Sequence, residues 1–436
     1  MTIAEKKLLK NENLLIYMCL FMYLMMMAAK SIFSAEIEVI RNVFETTKSE
    51  TSLANLFYYL AYAVMQVVLV FLVDKLNIKI YLGITVTLSA LISVSIGIVG
   101  SLGIAKIGFI YIMFTLNGFL QAGIYGCSIK LFNRYLSKEK FYLGVKLISG
   151  AQIIATILSY GLSSLFIALG RWEMPFIIIG AMFVGSAVLF VTGVSAVTKN
   201  IKTYRLQEEE EKHIEHKEET RVPIGKETKQ SLVVFLIIIA VITLLSNATH
   251  YSLNTWFTSI LKDEYKLPEQ DGTLLTMGIS LILSIVSIVS VGICAKAKNY
   301  YVFSIIGFFG AVIFSLVLSF VFKAGMILLC VLSVSFMVLN RWAKVPYSSV
   351  TSYKLRECLE PGKYSLLINA VASVAAGAGP YVVSLIQETF GWSGAYIAVS
   401  IMSAIVVVMV VLVMLLHNKL FNSLNKDKQK QNLENN

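Results

Sequence analysis

Residues 326–350 read MILLCVLSVSFMVLNRWAKVPYSSV, a run that is almost wholly apolar apart from Arg341 and Lys344 near its end. The run is long enough to cross about 30 Å of hydrocarbon as a helix, which takes roughly 20 residues. No carboxylate occurs between Asp271 and Glu357 that could neutralise the two cations locally. Because each cation costs about 2.5 to 3.5 kcal/mol at the centre of a membrane helix, both must face water, protein or a ligand. The run therefore predicts a membrane helix with an anion-binding face.

The composition of the whole chain is that of an integral membrane protein. Of its 436 residues, 57% are hydrophobic and 14% are charged, and the mean hydropathy is +0.75. Soluble domains contain about 25% charged residues. The formal charge of +11 would suit a nucleic-acid-binding protein, but the basic residues fall mainly in short segments between apolar runs, as the positive-inside rule expects. We therefore attribute the charge to membrane topology and expect no nucleic-acid partner.

No pattern in the sequence is typical of an enzyme or of a cofactor site. The five cysteines are scattered without metal-ligand spacing, which favours free thiols over a zinc site or disulfides. The charged stretch that contains His213 and His216 is more typical of a solvated linker than of a metal site. We find no phosphate-binding loop, no Ser/His/Asp arrangement and no redox motif, so we expect no enzymatic activity, no metal and no cofactor.

Twelve apolar runs are long enough to span a membrane. They lie near 14–35, 53–73, 78–100, 105–132, 142–168, 174–197, 231–259, 271–295, 301–322, 325–350, 362–387 and 392–416. Helices are expected, because lipid leaves every backbone polar group to be satisfied within the segment. We predict an all-α integral membrane protein with twelve transmembrane helices in two six-helix halves. The predicted parts are an N-terminal half over 1–198, a charged cytoplasmic linker over 199–230, a C-terminal half over 231–418 and a cytoplasmic tail over 419–436.

The distribution of charged residues predicts which side of the protein faces the cytoplasm. With the N-terminus inside, one set of loops is basic: it holds Lys75, Lys79, Lys130, Arg134, Lys138, Lys140, Lys296, Lys298, Lys354 and Arg356. The opposite loops are acidic: they hold Glu36, Glu38, Glu45, Glu50, Asp263, Glu264, Glu269 and Asp271. Both termini are therefore predicted to be cytoplasmic in a multi-pass, monomeric protein of the cell membrane. No carboxylate is expected within the membrane, where proton-coupled carriers commonly need one.

Two cytoplasmic loops contain related motifs. VFLVDKLNIK occupies residues 70–79 after the second span, and VGICAKAK occupies residues 291–298 after the eighth. Asp74 can pair with a cation or a helix N-terminus, and the lysines can contact helix C-termini or lipid phosphates. Both loops resemble the loop motif of the major facilitator superfamily, in which such residues brace one state of the gate. The resemblance implies a gating role for Asp74, Lys75, Lys79 and Lys296. A purely topological role of these basic loops stays open.

Three further stretches resemble the organophosphate:phosphate antiporter branch of that superfamily. They are NGFLQAGIYGCSIKLFNRYLSKEK at 117–140, YSLNTWFT at 251–258 and FGWSGAY at 390–396. The resemblance implies the major facilitator fold, with the substrate held near the midplane between two repeats. It also implies transport of an organic anion by alternating access.

The substrate residues of this branch carry over only in part. Its helix-one arginine falls close to Lys30 and its helix-two tyrosine at Tyr62. Its helix-two lysine becomes Gln66, its helix-seven arginine becomes His250 and its helix-five histidine becomes Ala151. Losing the paired guanidinium groups removes the bidentate forks that suit phosphate. We therefore expect a small organic anion, with a phosphate ester as one case among others.

The run quoted first supplies the second set of candidate substrate residues. Asn340, Lys344 and Tyr347 are spaced for one helical face, and Arg341 adjoins it. With Lys30 from the other half, these cations would let one anion bridge the two halves. The complete set of predicted substrate-binding residues is Lys30, Tyr62, Gln66, His250, Asn254, Trp256, Arg341, Lys344 and Tyr347. Alternatives stay open: Lys344 reaching lipid headgroups, Arg341 bonding to helix backbone or serving packing between substructures, Lys30 pairing with Glu36, and His250 as a core histidine.

The sequence thus predicts a secondary active transporter for a small organic anion, acting by exchange with another anion or by uptake with a proton, in a lipid bilayer. A membrane sensor for an anionic metabolite is one alternative, because the resembling branch includes a sugar-phosphate receptor that signals to a kinase. Multidrug efflux is another, consistent with 25 Phe and 21 Tyr. Aromatic residues are equally usual at membrane interfaces.

Overall fold

The computed structural model describes residues 3–72, 75–209, 225–296, 300–348, 351 and 361–434. Regular secondary structure within these ranges is helical throughout, as expected of a chain whose backbone polar groups must be satisfied in lipid. The helices are α1 Ile3–Val43, α2 Lys48–Leu72, α3 Ile78–Ser101, α4 Ile107–Gln121, α5 Ile124–Tyr135, α6 Lys138–Ala168, α7 Met174–Glu209, α8 Lys226–Tyr265, α9 Glu269–Lys296, α10 Tyr300–Val321, α11 Met326–Ser348 and α12 Pro361–Glu434.

The described helices account for twelve membrane crossings. Eleven helical segments are long and apolar enough to cross a membrane, and α4 with α5 forms one of them, Ile107–Tyr135. The last segment, Leu366–His417, has 52 residues. At 1.5 Å per residue it extends about 78 Å, more than twice the thickness of the hydrocarbon. Gly391 interrupts it with φ 68° and ψ −174°, a conformation that glycine adopts readily. If α12 is counted as two spans that meet at Gly391, the eleven segments give twelve crossings. The predicted all-α membrane fold is confirmed.

Contacts between helices group the chain into two compact units. The first contains Met1–Thr46, Leu60–Glu218 and Glu269–Met277, and the second contains Thr47–Tyr59, Glu219–Pro268 and Gly278–Asn436. The predicted halves, defined by sequence position alone, stay a prediction.

In the first unit, glycines allow α3 and α7 to pack closely. A Cβ atom on Gly97 would lie 2.8 Å from the backbone nitrogen of Ile177, and one on Gly180 would lie 2.8 Å from that of Val94. Such distances leave no room for a side chain in a close-packed interior. Small residues at these positions therefore let the two backbones approach, as is usual in membrane helix pairs.

In the second unit, α8, α10, α11 and α12 share an apolar core. Buried side chains include Phe235 and Ile239 of α8, Phe308 of α10 and Val406 of α12. Tyr347 of α11 belongs to the same cluster. This core holds α8 and α11 side by side, and these two helices carry the polar residues described below.

Helix α1 extends beyond the apolar run predicted to end at residue 35, and this corrects the placement of two acids. The sequence predicts Glu36 and Glu38 in an external loop, but both lie in α1 and are buried. Glu38 accepts hydrogen bonds from Arg41. The helix continues because packing against α6 and α7 stabilises residues that hydropathy alone excludes.

Candidate functional site

The ammonium group of Lys344 lies inside the second unit and is held by neutral partners. Lys344 is 8% exposed, and its Nζ donates a hydrogen bond to Asn247 Oδ1 at 2.7 Å. The same Nζ lies 5.7 Å from the ring centroid of Tyr251, within cation–π range. Because the group is buried and bonded internally, the alternative in which Lys344 reaches lipid headgroups is wrong.

Helix α8 presents these partners because of its polar spacing. Thr243, Asn247 and Tyr251 recur every fourth residue and so lie on one face of the helix. Asn247 Nδ2 donates to the backbone oxygen of Thr243 at 2.8 Å, which leaves the amide oxygen of Asn247 to accept from Lys344. The side chain is thereby oriented before any ligand binds.

Helix α11 contributes two further polar groups. Asn340 Nδ2 donates to Thr249 Oγ1 at 2.9 Å, while its Oδ1 has no hydrogen-bond partner among the described residues. Arg341 Nε donates to Ser287 Oγ of α9. Arg341 therefore bonds to a side chain of a neighbouring helix, and its contact with substrate stays a prediction.

Arg341 and Lys344 form a positive cluster without a counter-ion. They lie close enough for their charges to interact. Within the described part of the chain, neither forms an ion pair with a carboxylate. A buried charge is usually paired, so this cluster can attract an anion. The planar guanidinium group also matches a carboxylate or phosphate bidentately.

His250 adjoins the cluster. Its side chain is buried, its ring centroid lies 5.3 Å from that of Tyr251, and the charges of Lys344 and Arg341 both act on it. Its Nδ1 has no hydrogen-bond partner among the described residues. His250 thus brings one unsatisfied polar atom to the same region as the two cations.

The first unit contains a smaller group around Lys30. Its Nζ lies 4.9 Å from the ring centroid of Tyr62. Gln66 follows Tyr62 by one helical turn on α2 and is 2% exposed, with Oε1 lacking a partner among the described residues. The carboxylate oxygens of Glu36 likewise accept no hydrogen bond there, so the alternative in which Lys30 pairs with Glu36 is wrong.

Three predicted site residues make packing or polar contacts outside these two groups. Trp256 is 0% exposed, and its indole Nε1 donates to the backbone oxygen of Pro380 at 3.0 Å. Tyr347 lies in the apolar core of the second unit. Asn254 Oδ1 accepts a hydrogen bond from Ser280 Oγ at 3.2 Å. Substrate contact by these three residues stays a prediction.

The predicted gating residues are described only in part. Asp74 and the side chain of Lys296 lie outside the described residues. Lys75 is exposed in the turn after α2. Lys79 Nζ donates to Thr198 Oγ1 at 2.6 Å and lies 5.1 Å from the ring centroid of Tyr135. Lys79 therefore ties α3 to α7 within the first unit, and its gating role stays a prediction.

Sequence reasoning missed Asn247, Tyr251 and Ser287 as neighbours of the cations. Asn247 and Tyr251 could have been found from the sequence, because Thr243, Asn247 and Tyr251 are each four residues apart. Polar residues at that spacing in an apolar span lie on one helix face. Ser287 belongs to a different helix from Arg341, so only packing brings it there. No group of three His, Cys, Asp or Glu among the described residues could hold a metal ion.

Comparisons with known proteins agree on the fold. The sequence profile of the Major Facilitator Superfamily matches residues 19–356. A bacterial homologue of the human lysosomal transporter Spinster, inward-facing and unoccupied, aligns with a TM-score of 0.66 at 11% identity, covering 96% of this chain and 98% of that one. The occupied form of that homologue gives 0.67 at 11% identity, covering 94% and 97%.

A mutant of the nucleoside transporter NupG aligns with a TM-score of 0.62 at 12% identity, covering 92% of this chain and 99% of that one. Among curated proteins, none matches the sequence. At these identities the solved structures show the fold alone.

Proposed function

Because the chain belongs to the Major Facilitator Superfamily, and is therefore a multi-pass membrane transporter, we propose that its substrate is a small organic anion moved by alternating access. The observation that carries this proposal is a pair of cations in the second unit, the buried Lys344 and the half-buried Arg341, without a carboxylate partner among the described residues. The localisation to the cell membrane and the cytoplasmic termini remain predictions from the charge distribution.

A bound anion would compensate the positive charges of Arg341 and Lys344. An anion about 4 Å from a cation gains roughly 4 kcal/mol at an effective dielectric constant of 20, and two cations would act on it together. Asn247 and Tyr251 orient the ammonium group of Lys344 without cancelling its charge. A bound anion would therefore supply the missing negative charge.

The same cluster argues against multidrug efflux of lipophilic cations. Arg341 and Lys344 would repel a cationic substrate, and no described carboxylate pairs with either of them to attract one. The sensor alternative requires anion binding without transport, so the cluster is compatible with it. Transport and binding must therefore be measured separately.

We further propose that Lys30, with Tyr62 and Gln66, contributes a second positive contact during the transport cycle. Cation–π contact holds Lys30 against Tyr62. Membership of the organophosphate:phosphate antiporter branch stays a prediction. One arginine in place of the expected pair favours a carboxylate as readily as a phosphate ester.

Counterflow in proteoliposomes tests the proposal. Full-length protein would be given radiolabelled succinate, lactate, glycerol 3-phosphate and inorganic phosphate separately, and radiolabelled tetraphenylphosphonium as the cationic probe. We expect at least one anion to exchange in the wild type and to fail in Arg341→Gln. Lys323→Gln, which changes an exposed lysine of the second unit, is the matched control.

Each other outcome selects a different function. Exchange of tetraphenylphosphonium without any anion would contradict the proposal and favour efflux. Binding of an anion that never crosses the membrane would favour the sensor.

A further inference from the structure

Asn340 of α11 has a buried hydrogen-bond acceptor that the two neighbouring cations leave unused. The residue is 1% exposed, and its Oδ1 has no hydrogen-bond partner among the described residues. The amide oxygen of Asn247, in contrast, accepts from Lys344 at 2.7 Å. Because buried acceptors are normally paired, Asn340 offers a free acceptor next to Arg341 in the chain and one helical turn from Lys344.

The orientation of the Asn340 amide is set by Thr249 of α8. Thr249 Oγ1 donates its proton to the backbone oxygen of Ser246 at 3.1 Å, so it can only accept a hydrogen bond from Asn340. The amide nitrogen of Asn340 must therefore be the atom that contacts Thr249, at 2.9 Å. The amide oxygen cannot exchange places with the nitrogen without losing this bond, and it stays available as an acceptor.

His250 follows Thr249 on α8 and supplies a second unpaired polar atom. It is 6% exposed, and its Nδ1 has no hydrogen-bond partner among the described residues. An imidazole nitrogen donates or accepts depending on the tautomer. Because Thr249 bonds to Asn340 and adjoins His250 in the chain, the two unpaired atoms belong to the same part of α8 and α11.

Further polar groups continue along this face of α8. Asn247, His250, Tyr251 and Asn254 follow one another at helical spacing and therefore share one face. Asn254 Oδ1 accepts a hydrogen bond from Ser280 Oγ of α9 at 3.2 Å. A substrate with a purely apolar body would leave this row of polar side chains without a partner, which is unfavourable in a buried site.

The charge of the site restricts which group can donate to Asn340 Oδ1. Arg341 and Lys344 would repel an ammonium group, and an ionised carboxylate has no proton to donate. A hydroxyl group is neutral and can both donate and accept. It can therefore donate to Asn340 and also bond to His250 in either tautomer.

We propose that the substrate is a hydroxylated organic anion, whose anionic group binds Arg341 and Lys344 and whose hydroxyl group binds Asn340 Oδ1 and His250 Nδ1. The proposal, which rests on the proposed function, names the substrate class of the same site. Hydroxy carboxylates and polyol phosphates share the required chemistry. An analogue without the hydroxyl group would leave the acceptor of Asn340 unpaired, and sites built to bond a substrate hydroxyl reject such analogues strongly.

Ligand-induced thermal stabilisation of the full-length protein tests the proposal with pairs of anions. The pairs are lactate and propionate, malate and succinate, and glycerol 3-phosphate and propyl phosphate, whose members differ in hydroxyl groups and carry the same ionised group. The rise in melting temperature with ligand concentration gives each dissociation constant. We expect the hydroxylated member of at least one pair to bind about 5- to 150-fold more tightly, the range for leaving a buried polar group unpaired. Equal affinities within every pair that binds, as expected if an ordered water molecule pairs with Asn340, would overturn the proposal.

Variants test the two residues assigned to the hydroxyl group. In Asn340→Ala and in His250→Leu the ratio of the two affinities should fall towards about one, and a wild-type ratio in either variant would overturn the proposal. Ser315→Ala is the control, because Ser315 of α10 is buried and donates to the backbone oxygen of Ala311 at 2.8 Å; it should keep the wild-type ratio. If Asn340→Ala does not give monodisperse protein, Asn340→Ser replaces it, with the same expected loss of preference.

Counterflow separates failure of this proposal from failure of the proposed function. If anions exchange in the wild type and fail to exchange in Arg341→Gln, but the members of each pair bind equally, only the assignment of the hydroxyl group is wrong. If none of these anions binds or crosses the membrane, the proposed function is contradicted, and the hydroxylated substrate with it.

Discussion

Replacing Lys344 by methionine should weaken anion binding while leaving the protein about as stable as the wild type or more stable. A cation within a membrane helix costs about 2.5 to 3.5 kcal/mol, and its hydrogen bond to Asn247 offsets about 1.5 to 3 kcal/mol of that. Methionine is flexible and uncharged, so it removes both terms. The free energy of unfolding should therefore rise by at most about 2 kcal/mol and should not fall by more than about 0.5 kcal/mol.

The same replacement removes one of the two cations proposed to face the anion. Truncating one partner of a buried, hydrogen-bonded charge pair costs about 2 to 5 kcal/mol. At about 1.4 kcal/mol per factor of ten, the dissociation constant of the anion should rise at least about 30-fold. A protein that is as stable as the wild type but binds the anion poorly is the expected phenotype.

Thermal unfolding of the full-length protein, with and without the anion found by counterflow, measures both effects. The wild type should be stabilised by the anion and Lys344→Met should not, because a ligand stabilises only the state that binds it. Lys323→Met is the control, since Lys323 is 70% exposed and paired with Glu264 at 3.6 Å. Unchanged affinity together with a loss of several kcal/mol in Lys344→Met would refute the reasoning and make Lys344 a structural residue.

Three further predictions concern Arg341, Lys30 and the packing of α3 against α7. Arg341→Lys should keep the positive charge but lose the planar fork, so the dissociation constant of the anion should rise about tenfold, less than in Arg341→Gln. Titration of both variants with the anion measures the two losses, and equal losses would contradict a bidentate role. Lys30→Gln should lower the rate of counterflow while leaving thermal stability within about 1 kcal/mol of the wild type; unchanged counterflow would remove Lys30 from the proposed site. Gly97→Leu should destabilise the first unit by more than about 3 kcal/mol, because the new side chain overpacks against the Ile177 backbone. Gly108→Leu is the control and should be neutral, because its side chain meets open space. Equal melting temperatures of the two variants would show that α3 and α7 do not pack as described.

Much of the candidate site followed from charge alone. Arg341 and Lys344 could be found from the sequence because a cation in an apolar run has no local explanation. Their neutral partners could not, since Asn247 and Ser287 come from other helices and their contact depends on how α8, α9 and α11 pack. Trp256 is predicted from a resemblance, and its hydrogen bond to the backbone oxygen of Pro380 comes from another helix and could not be predicted; substrate contact by Trp256 stays a prediction.

The sequence by itself determined the membrane environment, the helical class and the twelve spans. The physical reason is that burial in lipid depends on the hydropathy of a contiguous segment, and hydropathy is a local property. Only the tertiary structure decided which polar groups are satisfied. Glu36 and Glu38 look alike in the sequence, yet one is unpaired among the described residues and the other bonds to Arg41. Whether a buried polar group finds a hydrogen-bond partner depends on neighbours from several helices, and hydropathy carries no information about those neighbours.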